Sequence, residues 1–275
     1  MMRAAQPKLR LRAPPPPSPG TELPKKDGVV TIQQEGTYLV SGTLENGQLV
    51  VDAADTEKVQ IVLQNVSIDC SDHAALFIKQ ADKVFLTLAE GTENTLSSGS
   101  SYALGDDDSN VDGVIFSRAD LTMNGSGSLA VNAAYKHAVV SKDDLVVTGG
   151  QYAIKAENGG GLYGKDCVKI TGGAFTIATG TDAIQANNAE KPIKGMIYIS
   201  GGTFDLTAGT DAVQAEPCCA STAARSRSPA AAAVQTPAST NPERIRPAGV
   251  CGGLRASRIP HRMQNPPTHP TAQKG

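Results

Sequence analysis

Four segments of this chain line up as one repeating unit: LTMNGSGSLAV at 121–131, LVVTGGQYAI at 145–154, VKITGGAFTI at 168–177 and IYISGGTFDL at 197–206. Their first residues are spaced by 24, 23 and 29 positions. The last interval is long because NAEKPI at 188–193 interrupts the unit, which also explains why GTDAIQA at 180–186 returns as GTDAVQA at 209–215 after 29 positions. A fixed period of this size marks a solenoid, in which each unit buries its apolar face against its neighbours. Within a unit the apolar residues alternate over short stretches, as in Leu145 and Val147, then a Gly-Gly pair, then Tyr152 and Ile154. Alternation broken by glycine specifies short, half-buried strands and excludes helices. Three such strands and three turns in about 23 residues form one coil of a parallel β-helix, whose equivalent residues stack at roughly 4.8 Å. The expected fold is therefore all-β, a single-stranded parallel β-helix.

Three inward files follow from this register: Leu129, Tyr152, Phe175 and Phe204; Val139, Leu162, Ile184 and Val213; and Leu121, Leu145, Val168 and Ile197. VQIVLQNVSI at 59–68 and VFLTLAEG at 84–91 fit looser earlier coils, and VVTIQQEGTYLVSG at 29–42 fits the first coil or its cap. The stretch from Thr92 to Gly113 is expected as a loop. A β-propeller would need periods of about 40 or more. The charge distribution divides the chain: residues 29–216 carry 11 Lys/Arg against 24 Asp/Glu, whereas 1–28 and 217–275 are basic and rich in Pro, Ala, Ser and Arg. The expected organisation is a disordered leader at 1–28, the β-helix at 29–216 and a disordered tail at 217–275. The change at Glu216 reads either as a frame change in the coding sequence or as a natural tail. The leader shows no signal peptide, since prolines stand where an apolar stretch is needed, and no segment is apolar enough to span a membrane. The five cysteines form no zinc-type spacing.

EGTYLVSGTLENGQLVVDA, KVQIVLQNVSIDCSD, TENTLSSGSSY, SKDDLVVTGG and GTDAVQAE occur in that order over about residues 29–216. In this the chain resembles the bacterial secreted carbohydrate-binding-domain family, right-handed parallel β-helices similar in fold to pectate lyases. The resemblance implies a secreted or cell-surface protein that binds plant-type polysaccharide and calcium without an established catalytic role. Two features depart from the family's pattern: DAI at 182–184 and DAV at 211–213 stand where DGI is usual, and NNAEKPIK at 187–194 is poorer in acid than the family's loop.

Arg118, Lys142, Lys165 and Lys194 each stand three residues before an inward position of the third file, so four cations are expected to climb one edge. Beside them run Asp120, Asp143, Asp144 and Asp166. This edge is either a solvated ladder of cancelling charges or a groove that recognises hydroxyls and uronate carboxylates. Tyr163 and Tyr198, in outward positions, are the candidates for stacking on a sugar ring. For calcium, the tentative cofactor, two oxygen-rich sets are candidates. One is Asp106, Asp108, Asn110 and Asp112 in the acidic loop, which lacks the twelfth-position Glu of an EF-hand; the other is the equivalent pair Asp182 and Asp211, which could instead cap turns. GGGLYGKD at 159–166 is no nucleotide loop, because Asp166 replaces the Ser or Thr that magnesium needs. Neither His73 nor His137 has a Ser or Cys pattern that would make it a general base. The expected partner is a polysaccharide, with no nucleic acid and no membrane span. The alternatives are a calcium-dependent polysaccharide lyase using Arg118 as base and a structural or adhesin-like surface solenoid.

Overall fold

The structure, a computed structural model, describes residues 28–216 apart from Pro192, and beyond them only the strand segments Arg10–Arg12, Lys25–Lys26, Cys219–Ser221 and Arg225–Ser226. The remainder of the expected leader and tail lies outside the described residues. The described chain is a parallel β-helix with three sheets. The first sheet stacks Lys83–Leu88, Asp120–Gly125, Asp144–Val147, Cys167–Ile170 and Met196–Ile199. The second stacks Glu93–Ser98, Ser128–Ala133, Gln151–Ala156, Ala174–Thr179 and Thr203–Ala208. These two are joined near the start by Lys58–Cys70, whose two halves pair with strands of both. The third sheet stacks Val29–Ile32, Gln48–Asp52, Leu76–Gln80, Gly113–Ser117, His137–Ser141, Leu162–Gly164, Ile184–Asn187 and Val213–Glu216. No helix among the described residues is long and apolar enough to cross a membrane.

All three expected files hold residue for residue. Leu129 pairs with Tyr152, Tyr152 with Phe175 and Phe175 with Phe204. The Tyr152 and Phe175 rings lie 5.1 Å apart at 15°, and those of Phe175 and Phe204 lie 4.9 Å apart at 4°. The other two files are buried at every coil except the last, where Val213 is only partly covered. The Gly-Gly pairs explain how the rings fit. Gly150, Gly173 and Gly202 occupy one corner position with φ of 101°, 112° and 108°, and Gly125, in the corner of the coil before them, has φ of 102°, a region closed to most side chains. A Cβ on Gly125 would stand 2.1 Å from the Leu88 carbonyl oxygen, and one on Gly150 would stand 2.7 Å from the Tyr152 hydroxyl.

The expected loop from Thr92 to Gly113 needs correction, because Glu93–Ser98 is a strand of the second sheet. Its inward positions are Asn94, Leu96 and Ser98, so polarity masks the alternation. Asn94 is buried because its side chain accepts from the Val66 N–H at 3.0 Å and donates to the Ser128 carbonyl at 3.0 Å. Only 99–112 departs from the coil. That segment, with a single 3-10 turn at Asp106–Asp108, folds over the outside of the third sheet. There Tyr102, Leu104 and Val111 pack with Phe77, Phe116, Val50 and Val140 in a second apolar cluster separate from the core.

Candidate functional site

The corner between the third and first sheets sets the cation stripe. The backbone N–H groups of Arg118, Lys142 and Lys165 donate to the carbonyls of Ile78, Ser117 and Ser141 in the preceding coil, at 2.9, 2.8 and 2.9 Å. Ser117 and Ser141 are fully buried at this corner, and the Ser117 hydroxyl donates to the Ala119 carbonyl at 2.7 Å. The side chains then part company. Arg118 donates to Asp108 at 3.1 Å and Asn110 at 3.0 Å, with its guanidinium 5.2 Å from the Phe77 ring centre. Lys142 pairs with Asp112 at 3.5 Å and lies 5.1 Å from the Phe116 ring centre and 5.7 Å from that of Tyr163. Lys165 pairs with Glu190 at 3.1 Å. Lys194 turns the other way, to Asp166 beside the first sheet. Each cation therefore faces a carboxylate, and the first two pin segment 99–112 against the sheet.

This places the calcium candidates. Asp108, Asn110 and Asp112 hold Arg118 and Lys142, while Asp106 is exposed at the start of the 3-10 turn. An Asp182 carboxylate oxygen accepts from the Thr210 hydroxyl and, at 2.9 Å, from the Asp211 N–H, so it caps the turn of the next coil. The carboxylates that do converge are Asp120, Asp143 and Asp144, whose oxygens lie within 4.8 Å of one another. Lys83 faces Asp120 at 3.1 Å, and buried Asp166 accepts from Asn188 at 2.5 Å. Burial, a hydrogen bond with Asp166 and the charges of Asp120, Asp166 and Asp144 push the Asp143 carboxyl up to about 6. Asp144 is raised as well, by burial and then by Asp120 and Asp166. Burial also opposes the charge on Asp166, but hydrogen bonds from Lys194, Asp143 and Asn188 outweigh it and hold that carboxyl below its ordinary value. An all-oxygen set without His or Cys fits calcium by donor type. The sequence showed these residues only as partners of the cations, since nothing in it says that side chains from neighbouring coils meet at a corner.

The outer surface of the third sheet gathers the remaining candidates. One outward file runs Val50, Phe77, Phe116, Val140, Tyr163, Gln185 and Gln214. Segment 99–112 covers its apolar start, and Tyr163, Gln185 and Gln214 remain half-exposed beyond it. The Tyr163 hydroxyl donates to the Asn187 carbonyl at 3.3 Å, and Gln185 donates to Gln214 at 2.7 Å. His137 stacks beside Tyr163 at 6.0 Å. Its Nδ1 accepts the Gly160 N–H at 2.9 Å, so the neutral ring carries its proton on Nε2 as a donor. Burial, and then Lys142 and Lys136, hold its pKa below the usual value against the pull of Asp112 and Asp182. An aromatic ring, an imidazole donor, two amides and two lysines thus share one surface. Tyr198 lies elsewhere, 39% exposed on the first sheet with Lys169 at 6.0 Å from its ring centre.

A protein of Acetivibrio thermocellus described as a carbohydrate-binding domain-containing protein is 38% identical over 128 residues. That match takes in 46% of this chain and 45% of the relative, so the chain spans less than half of the relative's length. A solved structure, described as the polysaccharide lyase-like protein from C. thermocellum in a gadolinium derivative, superposes with a TM-score of 0.67 and 34% identity. The superposition covers 74% of this chain and 86% of that one. A family profile described as carbohydrate-binding domain-containing protein matches residues 26–245, which takes in the whole described solenoid and continues past Glu216. The chain belongs to this carbohydrate-binding domain family.

Proposed function

We propose that this protein binds a uronate-containing polysaccharide of the plant-cell-wall type, without cleaving it, along the outer surface of the third sheet. The observation that carries this is the Tyr163 ring, bracketed by His137 at 6.0 Å and Lys142 at 5.7 Å, with Gln185 and Gln214 in register beside it. A pyranose ring presents a C–H face to an aromatic ring and a rim of hydroxyls to amide and imidazole groups. Lys142 and Lys165 each carry three ammonium N–H donors and face one carboxylate, Asp112 and Glu190, so each retains donors for a uronate carboxylate. The coil rise of roughly 4.8 Å offers one set of side chains per step along an extended sugar chain. Arg118, held by Asp108 and Asn110 over Phe77, serves here to fasten segment 99–112 beside the binding surface. A protein with this role belongs outside the cell, where such polymers occur, and its appearance in the culture medium of the native organism tests that placement. In affinity electrophoresis with polygalacturonate, Tyr163→Ala is expected to bind about fivefold more weakly, the ~1 kcal/mol worth of an aromatic contact. Tyr198→Ala should bind like the wild type. Equal retardation of Tyr163→Ala and wild type would contradict the assignment.

Calcium enters as a counter-ion for Asp120, Asp143 and Asp144, where it would offset the burial and then the neighbouring negative charges that raise the Asp143 carboxyl. The expected signs follow from linkage. The folded-state pKa of Asp143 lies above its unfolded value of 3.8, so the native state binds the extra proton between pH 4 and 6 and loses stability as pH rises through about 6. Asp143→Asn removes that loss and can still donate to Asp166. In chelator at pH 7 it should stabilise by about 1 kcal/mol once solvent screening is discounted, raising Tm by about 2–4 °C, with the gain vanishing near pH 4. Excess calcium should raise the Tm of the wild type and leave that of Asp143→Asn nearly unchanged. A wild-type Tm indifferent to calcium would remove the ion from the account.

A further inference from the structure

Apart from the third sheet, the outward face of the first sheet carries a file of its own: Thr37, Gln60, Phe85, Thr122, Val146, Lys169 and Tyr198. At its beginning lies an open depression of about 430 Å³ lined by Glu35, Gly36, Thr37, Lys58, Val59, Gln60 and Phe85. Phe85 is half-exposed on this outward surface, where the core does not account for its ring. Gln60 stands next to it in register. The Gln60 carboxamide accepts from the Thr37 hydroxyl at 3.0 Å and donates to the Thr87 hydroxyl at 3.1 Å. Such an amide has two acceptor sites and two N–H donors, and one of each is used. One N–H and one oxygen lone pair of Gln60 therefore remain in these bonds' vicinity, along with the acceptor sites of the Thr37 hydroxyl.

We propose that this depression is a second saccharide site, separate from that on the third sheet, and that it takes an uncharged sugar residue with its C–H face on Phe85 and its hydroxyls on Gln60 and Thr37. The depression is open, so it would hold one face of a sugar residue, and an apolar ring beside an amide with both donor and acceptor capacity matches the amphiphilic rim and face of a pyranose. The charges exclude an anion. Lys58 faces Asp82 at 3.6 Å and Glu35 adds a second acid to the same depression, so acids outnumber bases there and a carboxylate or phosphate would be repelled. An extended peptide is disfavoured as well, because among the described residues the outer edge of Gly36–Leu44 is open only at Gly36–Tyr38 beside the depression, too short a stretch for strand addition, while Lys58–Cys70 is paired on both sides there. Two sites on different faces of one rigid solenoid would let a single molecule hold two polysaccharide chains, or two segments of one chain, and so gain avidity without further contacts.

The test is a titration of the full chain with cellohexaose, xylohexaose and mannohexaose, followed by NMR at the Gln60 side-chain amide and the Phe85 ring. At least one of these neutral probes should give a saturable shift at both residues. Gln60→Leu, which keeps the bulk and removes the amide, should weaken that response at least tenfold, and Phe85→Ala should do the same. Tyr163→Ala should leave it unchanged, so loss of the third-sheet assignment would not carry this one with it. Oligogalacturonate should shift neither residue. The proposal falls if no neutral probe shifts Gln60 and Phe85, if the shift survives Gln60→Leu, if it vanishes in Tyr163→Ala, or if oligogalacturonate binds there as well as the neutral probes.

Discussion

Phe175→Ala is expected to destabilise the solenoid by about 3–5 kcal/mol, the cost of truncating a buried aromatic residue and leaving a cavity. Phe175 is 3% exposed and has a ring on each side, Tyr152 at 5.1 Å and Phe204 at 4.9 Å. The parallel strands fix those neighbours at one coil rise, so the coils cannot collapse into the gap without breaking register. Phe204 touches only one described ring and is more exposed, so Phe204→Ala should cost less. Thermal unfolding should place Phe175→Ala roughly 10 °C below the wild type, with Phe204→Ala between them. A loss of only a degree or two for Phe175→Ala would mean that the ring stack is not part of what holds the coils together.

The second large effect concerns Phe116. Its ring is fully buried on the outer side of the third sheet, 6.0 Å from Phe77 and 5.1 Å from the Lys142 ammonium. Phe116→Ala removes the floor on which segment 99–112 rests, at an expected cost of about 3–5 kcal/mol. The loss should be local at first, because the inward core files do not include Phe116. Limited proteolysis should cut Phe116→Ala within 99–112 under conditions where the wild type stays intact, while the remaining coils resist. Lys142 would also lose the surface that positions it near Tyr163, so binding to polygalacturonate should fall together with loop protection. Cleavage spread evenly along the chain would show instead that the segment and the solenoid unfold as one unit.

The coil register was legible because it depends on one-dimensional information. The order and near-constant spacing of Leu145, Tyr152 and Leu162 return in Val168, Phe175 and Ile184, with one residue fewer in the second turn, and parallel pairing converts that spacing into a stack. The folding of 99–112 onto the third sheet was not legible from its acidic, aperiodic sequence, although the strand beneath it carried a signal. All five residues of Gly113–Ser117 are buried, and the run Val114, Ile115, Phe116 abandons the alternation of a one-sided strand. An uninterrupted apolar run means that both faces are covered. The cation stripe was half legible. Spacing put Arg118, Lys142, Lys165 and Lys194 at one corner, but only coordinates show that Arg118 and Lys142 turn to the third sheet and Lys194 to the first. For the same reason Tyr163 and Tyr198 looked equivalent in sequence, and His137 acquires its place beside Tyr163 only when the coils are stacked.

Sugar held on the outer third sheet around Tyr163 would be seen by adding oligogalacturonate to isotopically labelled protein and recording which side-chain signals move. The prediction is a connected set comprising the Tyr163 ring, the His137 imidazole and the Gln185 and Gln214 amides, saturating together at one concentration. Saturable shifts confined to the second sheet, around Thr95, Ala130, Ala153 and Thr176, with Tyr163 and His137 unmoved, would contradict it.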